Sequence, residues 1–588
     1  MPDYRAFVPA QRLLQTIALS ADGTTVAYAS DASGQFNLWT RAVTSGPARQ
    51  LTSFTGQAVR DVAWAPDGTR IAFTADTCGN EQTQVYVVPA GGGEEPVRLS
   101  GSADRQYRLA EKAAFDPAGR YLLCSGNDRD PAVHGLIIYD LSGGPEIRFP
   151  GVPGHTAYPV EISPDGRWAL GAGRDIRGTG FFVLTTDGDG DHVCLARFSL
   201  LDKTLTIVDS PGWNVEEVTV SADGRTIAWI INEDGNSVLR AQRDGTATPV
   251  PPIPAGVIAG VVEPFAVSAD GANAAVLLDT PVRPLEVAIV DLTSGRPLSY
   301  LTDTRPPALK ACEPVTPELC HYPAADGASI PALLYRPAGS GPHPVVVSIH
   351  DGPESQARPA YVALHQYLLS RGIAIFAPNF RGSSGYGIAW QTRIYKDWGG
   401  IDLSDFAAAA EYLHTLDWVA ADRLAVMGRS YGGFAALSCL SRLPHLWAAG
   451  VSICGPSNLE TLARSMPPSW ATTVATMIGD PDKDADRLRE RSPVTYASQI
   501  TAPLLVLQGA TDPRVPQAES DQIVSHVRAN GVEVQYLVFD DEDTGSPAGR
   551  TTPGRTSPSP SSWPSTCSAE HVRVVEAPGL TAPGKVRR

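Results

Sequence analysis

The sequence predicts a β-propeller over residues 1–305 followed by a doubly wound α/β domain over residues 306–542. Three observations predict this pairing. A turn tetrapeptide returns along the first half, a Pro-rich break follows it, and a strand–turn–helix signature stands at Arg423–Phe434. With 588 residues, the chain is too long for a single hydrophobic core.

The repeated tetrapeptides are SADG at Ser20, APDG at Ala65, DPAG at Asp116, SPDG at Ser163, SADG at Ser221 and SADG at Ser268, spaced by 45, 51, 47, 58 and 47 residues. Each is a turn by composition, and an apolar β-type run usually follows. Thr25–Ala29, Arg70–Thr74 and Thr226–Ile230 are the clearest runs, with second strands at Phe36–Trp39, Gln84–Val88 and Gly135–Tyr139. Short strands at this period read as propeller blades. Six blades are marked, and the length leaves room for a seventh, expected to close on the N-terminal strand. Seven is therefore the expected blade number. Glu94-Glu95 and Glu216-Glu217 are paired carboxylates of the kind that hold a peptide amino terminus. Their loop and strand contexts favour solvated acidic faces instead.

From Thr302 to Glu318 the pattern breaks into TDTRPPALKACEPVTPE, the expected boundary. Beyond it, strands alternate with helices, which implies a mostly parallel sheet. Expected strands are Ile330–Tyr335, Pro344–Ile349, Ile373–Pro378, Leu424–Met427, Ala449–Ile453, Leu504–Gln508 and Val534–Phe539. Expected helices include Asp402–Leu416, with Asp402 and Asp405 placed against its dipole, and Gln517–Ala529.

The chemistry is expected where strands end. In GRSYGGF the string G-x-S-x-G lies after a buried-strand pattern and before a helix, as in the nucleophile elbow of an α/β-hydrolase. Ser430 is the expected nucleophile. Gly428 and Gly432 leave out a Cβ that would strike the neighbouring strand or helix. After Pro344–Ile349 comes HDGPE, His350 to Glu354. The Gly352 N–H there and the Tyr431 N–H are the expected oxyanion donors, each worth about 3–4 kcal/mol to the transition state. After Leu504–Gln508 comes GATDPRVP. Asp512 follows Ser430 in the chain order Ser…Asp…His and is the expected partner of a catalytic histidine. The loop NFRGSSGYG, Asn379 to Gly387, is expected to shape the site or brace the propeller.

Together the propeller turns, H-D-G-P-E, N-F-R-G-S-S-G-Y-G, D-W-G-G-I-D, G-R-S-Y-G-G-F and D-P-R-V-P resemble the prolyl oligopeptidase family of serine peptidases. The likeness is to its acylaminoacyl-peptidase and dipeptidyl-aminopeptidase-like bacterial members, and it covers residues 10 to 542. It implies a propeller that filters access to a serine site and cleavage of short or N-acylated peptides.

The family's D-E-G-H-G-F, which carries the general base, is absent. The chain reads Glu542-Asp543-Thr544-Gly545-Ser546, and Thr544 stands where the histidine belongs. From Asp543 on, SPAGRTTPGRTSPSPSSWPST has no apolar period, so residues 543–588 read as an aberrant, low-complexity tail. At codon level, EDTGSPAGRT becomes EGHGFTRREN when a single G is restored after its first codon. A shifted reading frame is therefore expected. Without its base the serine is a weak nucleophile, so impaired activity is expected, and the alternative is an inactive scaffold or decayed gene product. His571 lies in the tail with no element to hold it, and His526 and His445 read as surface or packing residues.

A net charge of −16 argues against a nucleic-acid partner, and no apolar run reaches membrane-spanning length. The N-terminus lacks the form of a secretory signal. The eight cysteines, at 78, 124, 194, 312, 320, 439, 454 and 567, form no C-x-x-C pair. The expectation is a cytoplasmic enzyme acting on short peptides, with no metal and no cofactor; homo-oligomerisation is left open.

Overall fold

The computed structural model describes residues 3–539 except 45, 78–81, 102, 111–113, 117, 131–132, 150–157, 163–168, 173–180, 187–189, 200–204, 222, 260–264, 312, 467–470 and 513. The described residues fall into two compact units, one of Pro9–Arg305 and one that joins Val8 and its predecessors to the residues from Pro306 onward.

Among the described residues of the first unit seven antiparallel sheets succeed one another, spanning 13–50, 57–98, 107–149, 158–172, 181–209, 214–247 and 257–300. The tetrapeptides at Ser20, Ala65, Asp116 and Ser221 each lie between the first two strands of a sheet and that at Ser268 between the second and third, while that at Ser163 lies outside the described residues. In the turn at Ser20 the Asp22 carboxylate accepts the Ser20 hydroxyl at 2.6 Å and the Thr24 N–H at 3.1 Å, while Gly23 takes φ +69°. Asp223 and Asp270 repeat this with Ser221 and Ser268. An aspartate that bonds its own backbone and a glycine free to adopt positive φ are what such a turn requires. The turns also touch one another. A Cβ on Gly23 would lie 2.9 Å from the Cβ of Ser268, so the first turn abuts the last.

The N-terminal strand does not complete a last blade. Leu13–Leu19 pairs with Thr25–Ser30 inside the first sheet. The sheet without a repeated tetrapeptide is 181–209, which sits in the longest interval between turns. The first and last sheets meet by packing: Leu13, Ile17, Val26 and Tyr28 share a core with Ala275, Leu277, Val287 and Ile289. Here side-chain burial supplies the cohesion that strand exchange was expected to supply.

The second unit is built on an eight-stranded sheet. Its strands are β1 (Glu318–Pro323), β2 (Ser329–Tyr335), β3 (His343–Ile349), β4 (Ala374–Pro378), β5 (Val419–Arg429), β6 (Ala449–Ile453), β7 (Leu504–Gly509) and β8 (Val534–Phe539). Their order is β1-β2-β4-β3-β5-β6-β7-β8, parallel from β4 onward. The main helices are α1 (Ala363–Ser370), α2 (Ile401–His414), α3 (Tyr431–Arg442) and α4 (Gln517–Ala529). Helix α3 is buried along almost its whole length, as its Gly- and Ala-rich sequence allows.

β1 begins at Glu318, where the linker ends, and was not expected as a strand. It is an edge strand, mostly exposed, so burial imposed no apolar alternation on it. The residues before Pro9 were expected in the propeller, yet Tyr4 and Phe7 are buried against Tyr367 of α1, and the Tyr361 hydroxyl donates to the Phe7 carbonyl at 2.5 Å.

Candidate active site

The register of the parallel strands places the ends of β3, β5, β6 and β7 along one edge. Ile349 pairs with Gly428, Arg429 with Ile453, and Ile453 with Leu507. Ser430 follows β5 directly, at φ +53° and ψ −120°. For a residue with a Cβ this backbone costs about 1–3 kcal/mol, and the surroundings hold it there. The Ser430 N–H donates to the Ile453 carbonyl at 2.8 Å, and its own carbonyl accepts the Phe434 N–H at 3.0 Å. Three glycines make room for the turn. A Cβ would come within 2.4 Å of Gly432 if placed on Gly428, and within 2.3 Å of the Ile349 carbonyl if placed on Gly432. On Gly433 it would lie 2.7 Å from Gly455. The result is a half-buried serine at a sharp strand-to-helix turn.

Tyr431 is the first residue of α3, where main-chain N–H groups have no acceptor inside the helix. Such a group beside the nucleophile is placed to receive a developing negative charge. Gly352 lies in the loop after β3, exposed and at φ +113°. A Cβ there would sit 2.7 Å from the Glu354 nitrogen, so glycine lets this loop turn tightly. The loop is tied to the elbow by an ion pair between Asp351 and Arg429 at 2.5 Å.

His350 is not available as a base. Its Nδ1 bonds the Asp351 carbonyl and its Nε2 the Ser383 hydroxyl, both at 2.8 Å, and its ring stacks on Phe380. Burial pushes its pKa down to about 4. It braces the loop as a neutral ring.

Asp512 follows β7 and is buried. Its Oδ1 accepts the main-chain N–H groups of Arg514 at 2.8 Å and Val515 at 2.9 Å, which fixes the carboxylate. Cys454, at the end of β6, is hydrogen-bonded to it, and burial next to that carboxylate pushes the thiol up to about 12. Neighbouring strands lie about 4.8 Å apart, so the ends of β5 and β7 stand roughly 10 Å apart, room for one imidazole ring. β8 ends beside β7, with Phe539 paired to Gly509. Thr544 and His571 lie outside the described residues, as does the whole tail 543–588.

The two carboxylates expected at the dipole of α2 are engaged otherwise. Asp405 pairs with Arg381 at 2.5 Å in the interior, and Asp326 also contacts that guanidinium. Arg381, expected to shape the site or reach the propeller, is thus an internal brace of its own unit. Asp402 accepts the Tyr431 hydroxyl at 2.5 Å and the Gly399 N–H at 3.0 Å. The only hint of this tie in the sequence is the closeness of D-W-G-G-I-D to a helix start. Glu94 and Glu95 are exposed, and Glu216 accepts a bond from Asn232, in keeping with structural roles. Among the described residues no group of acidic, His or Cys side chains has the arrangement of a metal site, and no helix is long and apolar enough to cross a membrane.

Residues 360–559 match the model of the prolyl oligopeptidase family. Over 209 residues the chain is 43% identical to dipeptidyl aminopeptidase BIII of Pseudoxanthomonas mexicana, covering 35% of this chain and 30% of that protein. It is 28% identical over 222 residues to the acylamino-acid-releasing enzyme of Sus scrofa, covering 36% and 30% of the two chains. The chain thus spans less than a third of the length of these curated relatives. Among solved structures, a puromycin-hydrolyzing peptidase of Mycobacterium tuberculosis matches with a TM-score of 0.75 at 19% identity, covering 92% of each chain. The acylaminoacyl peptidase of Pyrococcus horikoshii matches with a TM-score of 0.67 at 19% identity, covering 97% of this chain and 89% of that one. These two likenesses bear on the fold, while the elbow, its glycines and the family match bear on descent. Over residues 360–559 the chain is similar to the prolyl oligopeptidase family of serine peptidases.

Proposed function

We propose that this chain is a serine peptidase for short or N-acylated peptides, working through an acyl-enzyme on Ser430 and impaired by the loss of its triad histidine. The observation that carries the reading is the strained elbow at Ser430 with Asp512 fixed two strands away on the same sheet edge. In the complete reaction an imidazole held by Asp512 takes the Ser430 proton as Oγ bonds the substrate carbonyl carbon. The oxyanion lies between the N–H groups of Tyr431 and Gly352. Collapse breaks the peptide bond, the leaving amine takes the proton, and water then repeats the sequence on the ester. No step in this sequence calls on a metal or cofactor. With Thr544 in place of the imidazole, turnover falls by about four to six orders of magnitude.

The sheets of the first unit are proposed to form a seven-bladed ring, supported by seven successive sheets and by the core shared between first and last. A cytoplasmic location is proposed as well, supported by the thiols of Cys320, Cys439 and Cys454, which form no disulfide among the described residues.

The test compares this chain with one in which the tail is rebuilt in the alternative frame, on acyl-amino-acid and aminoacyl amides and with a fluorophosphonate probe. The rebuilt chain is expected to hydrolyse the amides and label at Ser430, and the present chain to do so orders of magnitude more slowly. A rebuilt, folded chain that neither labels nor hydrolyses would refute the reading. The second reading, a silent peptide-binding scaffold, draws on His350, whose two nitrogens are both engaged. Substrate binding by both chains with turnover by neither favours it.

A further inference from the structure

Helix α3 carries Ser430 at its N-cap and is fastened at both ends to one loop. At its C-terminal end the Arg442 guanidinium donates to the Gly399 carbonyl at 2.5 Å. At its N-terminal end the Tyr431 hydroxyl donates to Asp402, whose carboxylate also holds the Gly399 N–H. Trp398 of the same loop meets the Tyr431 ring edge-on at 4.9 Å, and Phe380 stacks on it at 5.3 Å. Asp402 is 1% exposed and forms no ion pair among the described residues. A buried carboxylate without a cation is expensive to keep where a neutral acceptor would satisfy one phenol. It does more than satisfy the phenol here, because it couples Tyr431 to the backbone of the loop.

We propose that Asp402 is a positioning residue for the oxyanion site, holding Tyr431 by its hydroxyl so that the Tyr431 main-chain N–H stays aimed beside Ser430. The inference rests on the roles proposed above for Ser430 and Tyr431. An oxyanion donor must be placed to within a few tenths of an ångström, and a misplacement of about 1 Å costs on the order of a hundredfold. A helix that slides or rotates at its first turn moves that donor and the nucleophile together.

The test uses benzeneboronic acid, whose adduct with a serine hydroxyl puts a boron-bound oxygen where the oxyanion forms. Binding to the full chain is followed by calorimetry, and hydrogen exchange of the elbow peptide by mass spectrometry, for the unaltered chain, Asp402→Asn, Asp402→Ala and Tyr431→Phe. Expected is about tenfold weaker boronate binding and at least tenfold faster elbow exchange in Asp402→Ala and Tyr431→Phe. Asp402→Asn, which still accepts the phenol, should stay within about twofold of the unaltered chain. Ser430→Ala should abolish binding. If Asp402→Ala does not fold, Tyr431→Phe against Asp402→Asn gives the same contrast. Unchanged boronate affinity in folded Tyr431→Phe overturns the inference, as does exchange that quickens in the loop and not in the elbow. If the unaltered chain, lacking its imidazole, binds no boronate, the elbow exchange decides, and exchange unchanged across the variants overturns the inference. Boronate binding that follows the expected order, in a chain that turns over no peptide even with its tail rebuilt, upholds the positioning role and refutes the peptidase.

Discussion

Aspartate and glycine do different work in the two units. In the first unit the turn aspartates Asp22, Asp223 and Asp270 lie at the surface and accept several hydrogen bonds, so they are held below the ordinary carboxylate range. Asp223, bonded by Ser221 and Arg225, sits at about 2. In the second unit Asp402 and Asp405 are buried and pushed up by desolvation, Asp402 to about 6. Two glycines show the same contrast. Gly68 takes φ +74° with open space around its missing Cβ, while Gly432 at the elbow has a carbonyl in that space. Asp223 and Gly68 are therefore used for their local conformations and tolerate change, whereas Asp402 and Gly432 are used for buried bonds and close approach. A residue's share in stability follows from what surrounds it more than from its type.

The sharpest challenge to this contrast is Gly432→Ala. A Cβ against the Ile349 carbonyl should cost about 5 kcal/mol or prevent folding, seen in denaturant unfolding or as loss of soluble protein. An alanine accommodated at little cost would break the comparison. Next is Arg381→Met, which strands the buried Asp405 carboxylate and should cost about 3–5 kcal/mol. The matching change in the first unit, Arg225→Met, removes an exposed partner of Asp244 and should leave the melting temperature unmoved.

Asp402→Asn probes the buried carboxylate by pH. Asp402 titrates higher in the folded chain than in the unfolded one, so its contribution favours the fold at low pH and is lost as pH rises through about 6. Asp405, Tyr431 and Cys439 share its surroundings and are unaltered by the substitution. Between pH 4 and pH 7 the Asn variant should therefore gain about 2 kcal/mol on the unaltered chain, read from unfolding curves at each pH. Gly68→Ala meets no neighbour and should cost only about 1–2 kcal/mol, through its positive φ alone, as read from denaturant unfolding.

What was legible in the sequence was local. Ala449–Ile453 and Val534–Phe539 form the strands their apolar runs announce, and the elbow emerges where G-x-S-x-G meets a strand and a helix. What escaped was set by partners distant in sequence. Asp402 and Asp405 look like ordinary helix-start acids until Tyr431 and Arg381 are brought to them across the fold. β1 escaped because Pro and charge flank it and most of its side chains face water. The 181–209 sheet escaped because it lacks the tetrapeptide that marks its neighbours.

The pairing of Phe7 with Tyr361 has a consequence for biosynthesis. The two residues are 354 positions apart, so at about 5–20 residues per second the ribosome needs roughly 20–70 s to deliver the second after the first. Through that interval Tyr4 and Phe7 have no apolar cover, and the second unit cannot finish until its earliest-made piece returns to it. An N-terminal fusion that restrains these residues would therefore delay maturation of the unit made last.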